Sequence, residues 1–246
     1  KAEGIALESA PLTAAARVRL HDTFSTPSLH IALQGADTGV PIMLSHALGL
    51  DLHMWDALAA SLAATSPVLR YDHRGQGQSA VPNGPYTIDQ LVDDAARIIN
   101  EWGRGPVVFV GLSMGGMVAQ GLAIRHPRLV RGLVLANTAA QYPGAAQTIW
   151  ADRIAAVQTG GMAAIADTGV ERFLSAATRA ARPELIAAVR AQLLGADAAG
   201  YIASCEAIRH VNWLADLPRI ACPTAVATGS DDLGTTPAMN KAIAQA

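Results

Sequence analysis

Short apolar runs alternate with longer amphipathic stretches along most of this chain. "SLHIALQG" alternates between apolar and polar positions and predicts an early strand. "PIMLSHA", "PVLRYD", "VVFV" and "VRGLVLAN" are compact apolar runs bounded by turn residues, the pattern of strands covered on both faces. Between them, "MWDALAASLAA", "TIDQLVDDAARIINEW" and "SMGGMVAQGLAIRH" repeat apolar residues at helical spacing. In the second, Ile88, Leu91, Val92, Ala95 and Ile98 share one face, and Thr87 stands at the N-cap. Pro127 closes the third. From Gln147 to Trp213 the pattern is helical and alanine-rich, without a convincing strand. "TAVATGSDD" then returns to a strand, and "TPAMNKAIAQA" opens a helix with Pro237 at an early position. Strands alternating with helices imply a mostly parallel central sheet flanked by helices, and the late helical block reads as an inserted cap over the strand ends. The expected organisation is an N-terminal extension over 1–20, a core α/β domain over 21–140, a helical cap over 141–215, and a second core part over 216–246.

Composition narrows the classes. The chain has 246 residues, 51% apolar and 15% charged, which suits one large globular domain rather than a disordered segment. A net charge of −2 gives no basic field for nucleic acid. No apolar run approaches the length needed to span a bilayer, and the first residues lack the apolar stretch of a secretory signal. Two cysteines, Cys205 and Cys222, make no disulfide framework; they fit a reducing cytoplasm and read as core thiols, with Cys205 close to a pocket.

The chemistry concentrates at "GLSMGG", residues 111–116, between the apolar run "VVFV" and a helix. A nucleophilic serine must stand clear of the sheet beside a free backbone N–H. A sharp strand-to-helix turn does this, and it demands small residues two positions before and after. Gly111 and Gly115 occupy those positions around Ser113. The helix that starts there also points its positive end at developing negative charge. The alternative is an ordinary glycine-rich connection. "DHRGQGQS" is also glycine-rich but lacks the spacing of either phosphate-binding loop. Its Arg74 reads as a structural ion-pair partner of Asp72 or a nearby carboxylate. No His, Cys and Asp cluster has metal-ligand spacing, so neither metal nor cofactor is expected.

From about Leu29 onward the chain resembles the α/β-hydrolase fold, and within it the 3-oxoadipate enol-lactonases. The carriers are "LSHALGLDLHMW", "LRYDHRGQGQSAVPNGPYTIDQL", "GLSMGGMVAQGLAIRHP", "LANTAA", "YIASCEAI" and "GSDDLGTTPA". The resemblance implies that Ser113 is the nucleophile and that the backbone N–H groups of Leu48 and Met114 form the oxyanion hole. His46 falls in the oxyanion loop as a packing residue rather than a base. The family pattern of Gly, two residues, then Asp makes Asp232 the implied acid, with Asp231 the alternative. Trp150 and Arg153 match a W-x-x-R pattern of similar lactonases and would wall the ring and pair with a carboxylate; a packing tryptophan and a solvated arginine are the other reading. Gln141, after "NTAA", departs from members that carry arginine there.

In this family the order is serine, acid, histidine, yet no histidine follows Asp232. The expectation is a further C-terminal strand and helix carrying the histidine; His210 is a weak substitute. The implied activity is opening of a carboxylate-bearing enol-lactone in aromatic-compound breakdown, with a small-molecule substrate as partner and self-association into a homo-oligomer left open. The alternatives are another carboxylester or lactone hydrolase of this fold, or a non-catalytic binding module.

Overall fold

A computed structural model describes residues 27–142 and 144–246. The expected extension over 1–20, and His21, lie outside the described residues. Six strands make one sheet: β1 (Ile31–Gly35), β2 (Ile42–Ser45), β3 (Pro67–Tyr71), β4 (Val107–Leu112), β5 (Val130–Ala136) and β6 (Thr224–Ala227). Their order is β1-β3-β2-β4-β5-β6. β1 runs antiparallel to β3, and the other neighbours are parallel. The apolar runs become strands because every residue of β2 and β3 is buried, leaving no face for water.

Helices cover both faces. α1 (Asp56–Leu62) places Ala59 in a small core with Ile42, Leu44, Trp55 and Val68. α2 (Ile88–Trp102) and α3 (Met114–Arg125) cover the opposite face, where Leu91, Val92, Ile98, Met117 and Leu122 join Phe109 and Leu133. α2 starts where its sequence signals it should. The Thr87 hydroxyl accepts from Gln90 N–H at 3.2 Å, and the Gln90 side chain accepts from Thr87 N–H at 3.0 Å.

Arg74 pairs with Asp94 of α2, not with Asp72: Nε and Nη2 reach the two carboxylate oxygens at 2.6 and 2.8 Å. Asp72 is instead occupied by His30 and by the backbone N–H groups of Leu52 and Gln78. Cys205 is a core thiol, but Cys222 is only half-buried, because it leads into the edge strand β6.

Between β5 and β6 the chain forms α4 (Ala146–Gly160), α5 (Ala163–Phe173), α6 (Ala176–Ala181), α7 (Pro183–Gly195) and α8 (Ala198–Arg209). α8 is tied to the core through its backbone. Tyr86 N–H donates to Ala203 O at 3.2 Å, and just beyond the helix Trp213 N–H donates to Ala140 O at 2.7 Å. Gly200 lies so close to Gly75 that a Cβ there would overlap the Gly75 carbonyl. α9 (Pro237–Gln245) follows β6 and begins with Pro237 behind its Thr236 cap. Among the described residues no single helix is long and apolar enough to cross a membrane.

Candidate active site

β4 ends at Leu112, α3 begins at Met114, and Ser113 makes the turn between them with φ 55° and ψ −114°. A side-chain-bearing residue rarely adopts a positive φ, and holding one costs about 1–3 kcal/mol. The surroundings enforce it. Ser113 N–H donates to Ala136 O at 3.0 Å, and Ser113 O accepts from Gly116 N–H, Met117 N–H and the Thr138 hydroxyl, the last at 2.7 Å. Gly111 and Gly115 are required by close approach: a Cβ on Gly111 would overlap the Gly115 carbonyl, and one on Gly115 would overlap the Ser45 carbonyl. "GLSMGG" is therefore a strained elbow and not a relaxed connection.

The loop after β2 runs beside this elbow. Among the described residues, neither Leu48 N–H nor Met114 N–H has a hydrogen-bond acceptor, so both donors are available. Their neighbour Gly49 N–H donates to the Gln76 side chain at 2.7 Å, and the Gln76 amide approaches Met114 Sδ at 3.8 Å and Ser204 Oγ at 3.3 Å. The buried Gln76 thus braces the loop, the elbow and α8 together, a role that sequence reading missed. Its only sequence signal is a long polar side chain between two glycines.

His46 is fully buried, and its Nε2 accepts from His73 N–H at 3.0 Å. Burial lowers the pKa of both imidazoles, and the neighbouring His46 ring further disfavours protonation of His73. Two neutral histidines under the loop shape it without reaching the serine.

Asp232 collects four donors. One oxygen accepts from Gly234 N–H at 2.7 Å and Thr235 N–H at 2.8 Å; the other accepts from the Thr235 hydroxyl at 2.8 Å and from the Asn137 amide. Asn137 holds a positive φ of 43° immediately after β5. Asp231 is exposed and accepts only from Ser230 Oγ, at 3.1 Å. Asn240 joins this loop to the elbow: it accepts from Thr138 N–H at 3.1 Å and donates to the carbonyls of Thr235 and Thr236.

A cavity of about 850 Å³ opens between these strand ends and the inserted helices. Ser113, Leu48, Asp232, Trp150 and Arg153 all line it; Met114 lies buried behind Ser113. Trp150 is buried and meets Tyr142 edge-on, with ring centroids 5.4 Å apart. Arg153 lies over the Trp150 ring, 5.1 Å from its centroid, and its Nη1 is 3.4 Å from the Tyr201 hydroxyl. Arg172, which sequence reading passed over, lines the same cavity. Cys205 does not line it, and burial pushes its thiol up to about 12.

Among the described residues no histidine hydrogen-bonds Ser113 or Asp232. His53 lines the cavity but faces Asp56 at 3.2 Å, and His210 is exposed beside Glu206. Gln141 takes part in a backbone bridge with Asn212. No group of three or more His, Cys, Asp or Glu among the described residues is placed to hold a metal ion.

A mostly parallel sheet with a serine elbow after its central strand, free amides beside it and a braced aspartate facing the same cavity defines a hydrolase architecture. The chain belongs to the α/β-hydrolase fold family, whose model matches residues 40–246. It is similar to 3-oxoadipate enol-lactonase 2 of Acinetobacter baylyi, 34% identical over 209 residues, covering 85% of this chain and 78% of that protein. Among solved structures it is similar to the enol-lactonase from Burkholderia xenovorans LB400, with a TM-score of 0.85 and 36% identity over 89% of this chain and 84% of that one. It is also similar to a malate-bound thermophilic esterase from Thermogutta terrifontis, with a TM-score of 0.86 and 31% identity over 94% and 86% of the two chains.

Proposed function

We propose that this hydrolase opens a carboxylate-bearing enol-lactone, the substrate being 3-oxoadipate enol-lactone. The observation that carries the reading is the strained Ser113 sharing one cavity with Trp150 and Arg153. Similarity to enol-lactonases across most of both chains supports it.

Ser113 Oγ adds to the lactone carbonyl, and the Leu48 and Met114 amides hold the oxyanion, each such donor contributing about 3 kcal/mol in comparable sites. The ring C–O bond then breaks, and the proton taken from Ser113 passes to the departing enol oxygen. Water releases the acyl group as a second carboxylate, and the enol tautomerises to the 3-oxo acid. Asp232 is placed to orient a histidine base and to stabilise it as imidazolium, and no histidine among the described residues meets it. Trp150 walls the ring, and Arg153 pairs with the free carboxylate. Nothing in this sequence of steps needs a cofactor.

Ser113 should react with a fluorophosphonate probe, and Ser113→Ala should abolish labelling and lower lactone turnover by at least about 10³-fold. Near-wild-type turnover in Ser113→Ala protein would overturn the mechanism. The similarity to an esterase favours one second reading, hydrolysis of acyclic esters. A higher kcat/KM for an acyclic carboxylate-bearing ester than for the lactone would select it.

A further inference from the structure

Two guanidinium groups face the cavity from the inserted helices. Arg153 comes from α4, and Arg172 from the last turn of α5. Most arginines among the described residues have a carboxylate within ion-pair distance. These two do not. The carboxylates that line the cavity are Glu171, Asp231 and Asp232. Glu171 and Asp231 are exposed and within ion-pair distance of neither arginine, and Asp232 already holds four donors.

The two positive charges line one cavity: Arg153 packs over Trp150 and reaches the Tyr201 hydroxyl, while Arg172 approaches from the end of α5. Arg172 is also pressed against the loop that carries Asp232: a Cβ on Gly234 would come within 2.6 Å of its Nη2. Arg172 keeps an exposed surface while lining the cavity. Its pKa is lowered by burial and then by the charge of Arg153. Two like charges that line one cavity, neither with a carboxylate partner, favour an anion between them. Planar guanidiniums approaching from two elements match a carboxylate, which accepts on both oxygens.

We propose that Arg172 is the second arm of a carboxylate clamp: Arg153 and Arg172 close on one carboxylate of the substrate from two sides, and this selects anionic esters and lactones over neutral ones. The inference rests on the hydrolase reading above, and it adds Arg172 to it as a specificity residue.

The test uses Ser113→Ala protein, which cannot turn ligand over, and two matched esters. Monomethyl adipate carries one carboxylate; dimethyl adipate is its neutral counterpart. Calorimetry should show the monoester binding at least tenfold tighter. Adding Arg172→Gln should remove about tenfold of affinity for the monoester and leave the diester unchanged, and Arg172→Lys should restore part of it. Equal affinity for the two esters, or equal losses on both, would overturn the clamp. If Arg172→Gln does not fold, salt serves instead: monoester binding should weaken as ionic strength rises while diester binding does not, and a salt-independent monoester would refute the proposal. Probe labelling of Ser113 in wild-type protein reports the hydrolase reading separately. Labelling without ester discrimination sinks only the clamp, and discrimination without labelling sinks only the hydrolase.

Discussion

Asp232→Asn separates a braced carboxylate from a solvated one. The native side chain accepts four hydrogen bonds, two on each oxygen. An amide of the same shape has one acceptor atom. If its oxygen keeps the Gly234 and Thr235 N–H groups, its NH₂ faces the Asn137 amide and the Thr235 hydroxyl, which must turn away or turn round. Hydrogen bonds to a charged group contribute roughly 1.5–3 kcal/mol each when buried. Losing two, discounted because Asp232 is only half-buried, gives an expected cost of about 2–4 kcal/mol in urea unfolding. Asp231→Asn is the control. Asp231 is exposed with one long contact, so its change should stay within about 0.5 kcal/mol. Amide exchange at Gly234 and Thr235 should accelerate only in the Asp232 variant. Two equal costs, or an Asp232→Asn protein as stable as wild type, would show that this loop is not organised around Asp232.

Ser113→Gly should end probe labelling yet raise stability by about 1 kcal/mol in a thermal melt, because glycine tolerates the positive φ that serine endures; a clear loss of stability would contradict the strain. His46 and His73 hold folded pKa values below their ordinary 6.5, so the unfolded chain binds protons that the folded one refuses. Stability should be full above about pH 6.5 and fall as the pH drops below it. A His46→Asn, His73→Asn protein should show a flatter urea-midpoint profile between about pH 7 and 5. The buried Cys205 thiol, raised to about 12, should resist a thiol reagent at about pH 8 in native protein while the half-buried Cys222 reacts; simultaneous reaction of both would contradict the burial of Cys205.

The sheet was legible because strands covered on both faces are mostly apolar, and "PVLRY" and "IMLS", with one polar residue each besides the tyrosine, have few other uses. The elbow was legible because its conformation excludes side chains at two fixed offsets from Ser113. Partners set by tertiary approach were not. Arg74 faces Asp94 because α2 crosses that face of the sheet, and no spacing along the chain distinguishes Asp94 from Asp72. Arg172 sits in an alanine-rich helical region among other arginines, and only the fold turns it toward a cavity. Gln76 is one polar residue in a glycine-rich loop until Gly49 is brought against it.

The Gly75–Gly200 contact bears on how this molecule can diversify. With two backbones in contact and no side chain between them, α8 cannot come closer to the loop that carries Gly75, and a side chain at either position would push Tyr201 and Ser204 away from the core. Side chains on α4 and α5, where Trp150, Arg153 and Arg172 line the cavity, are freer places for ligand preference to change.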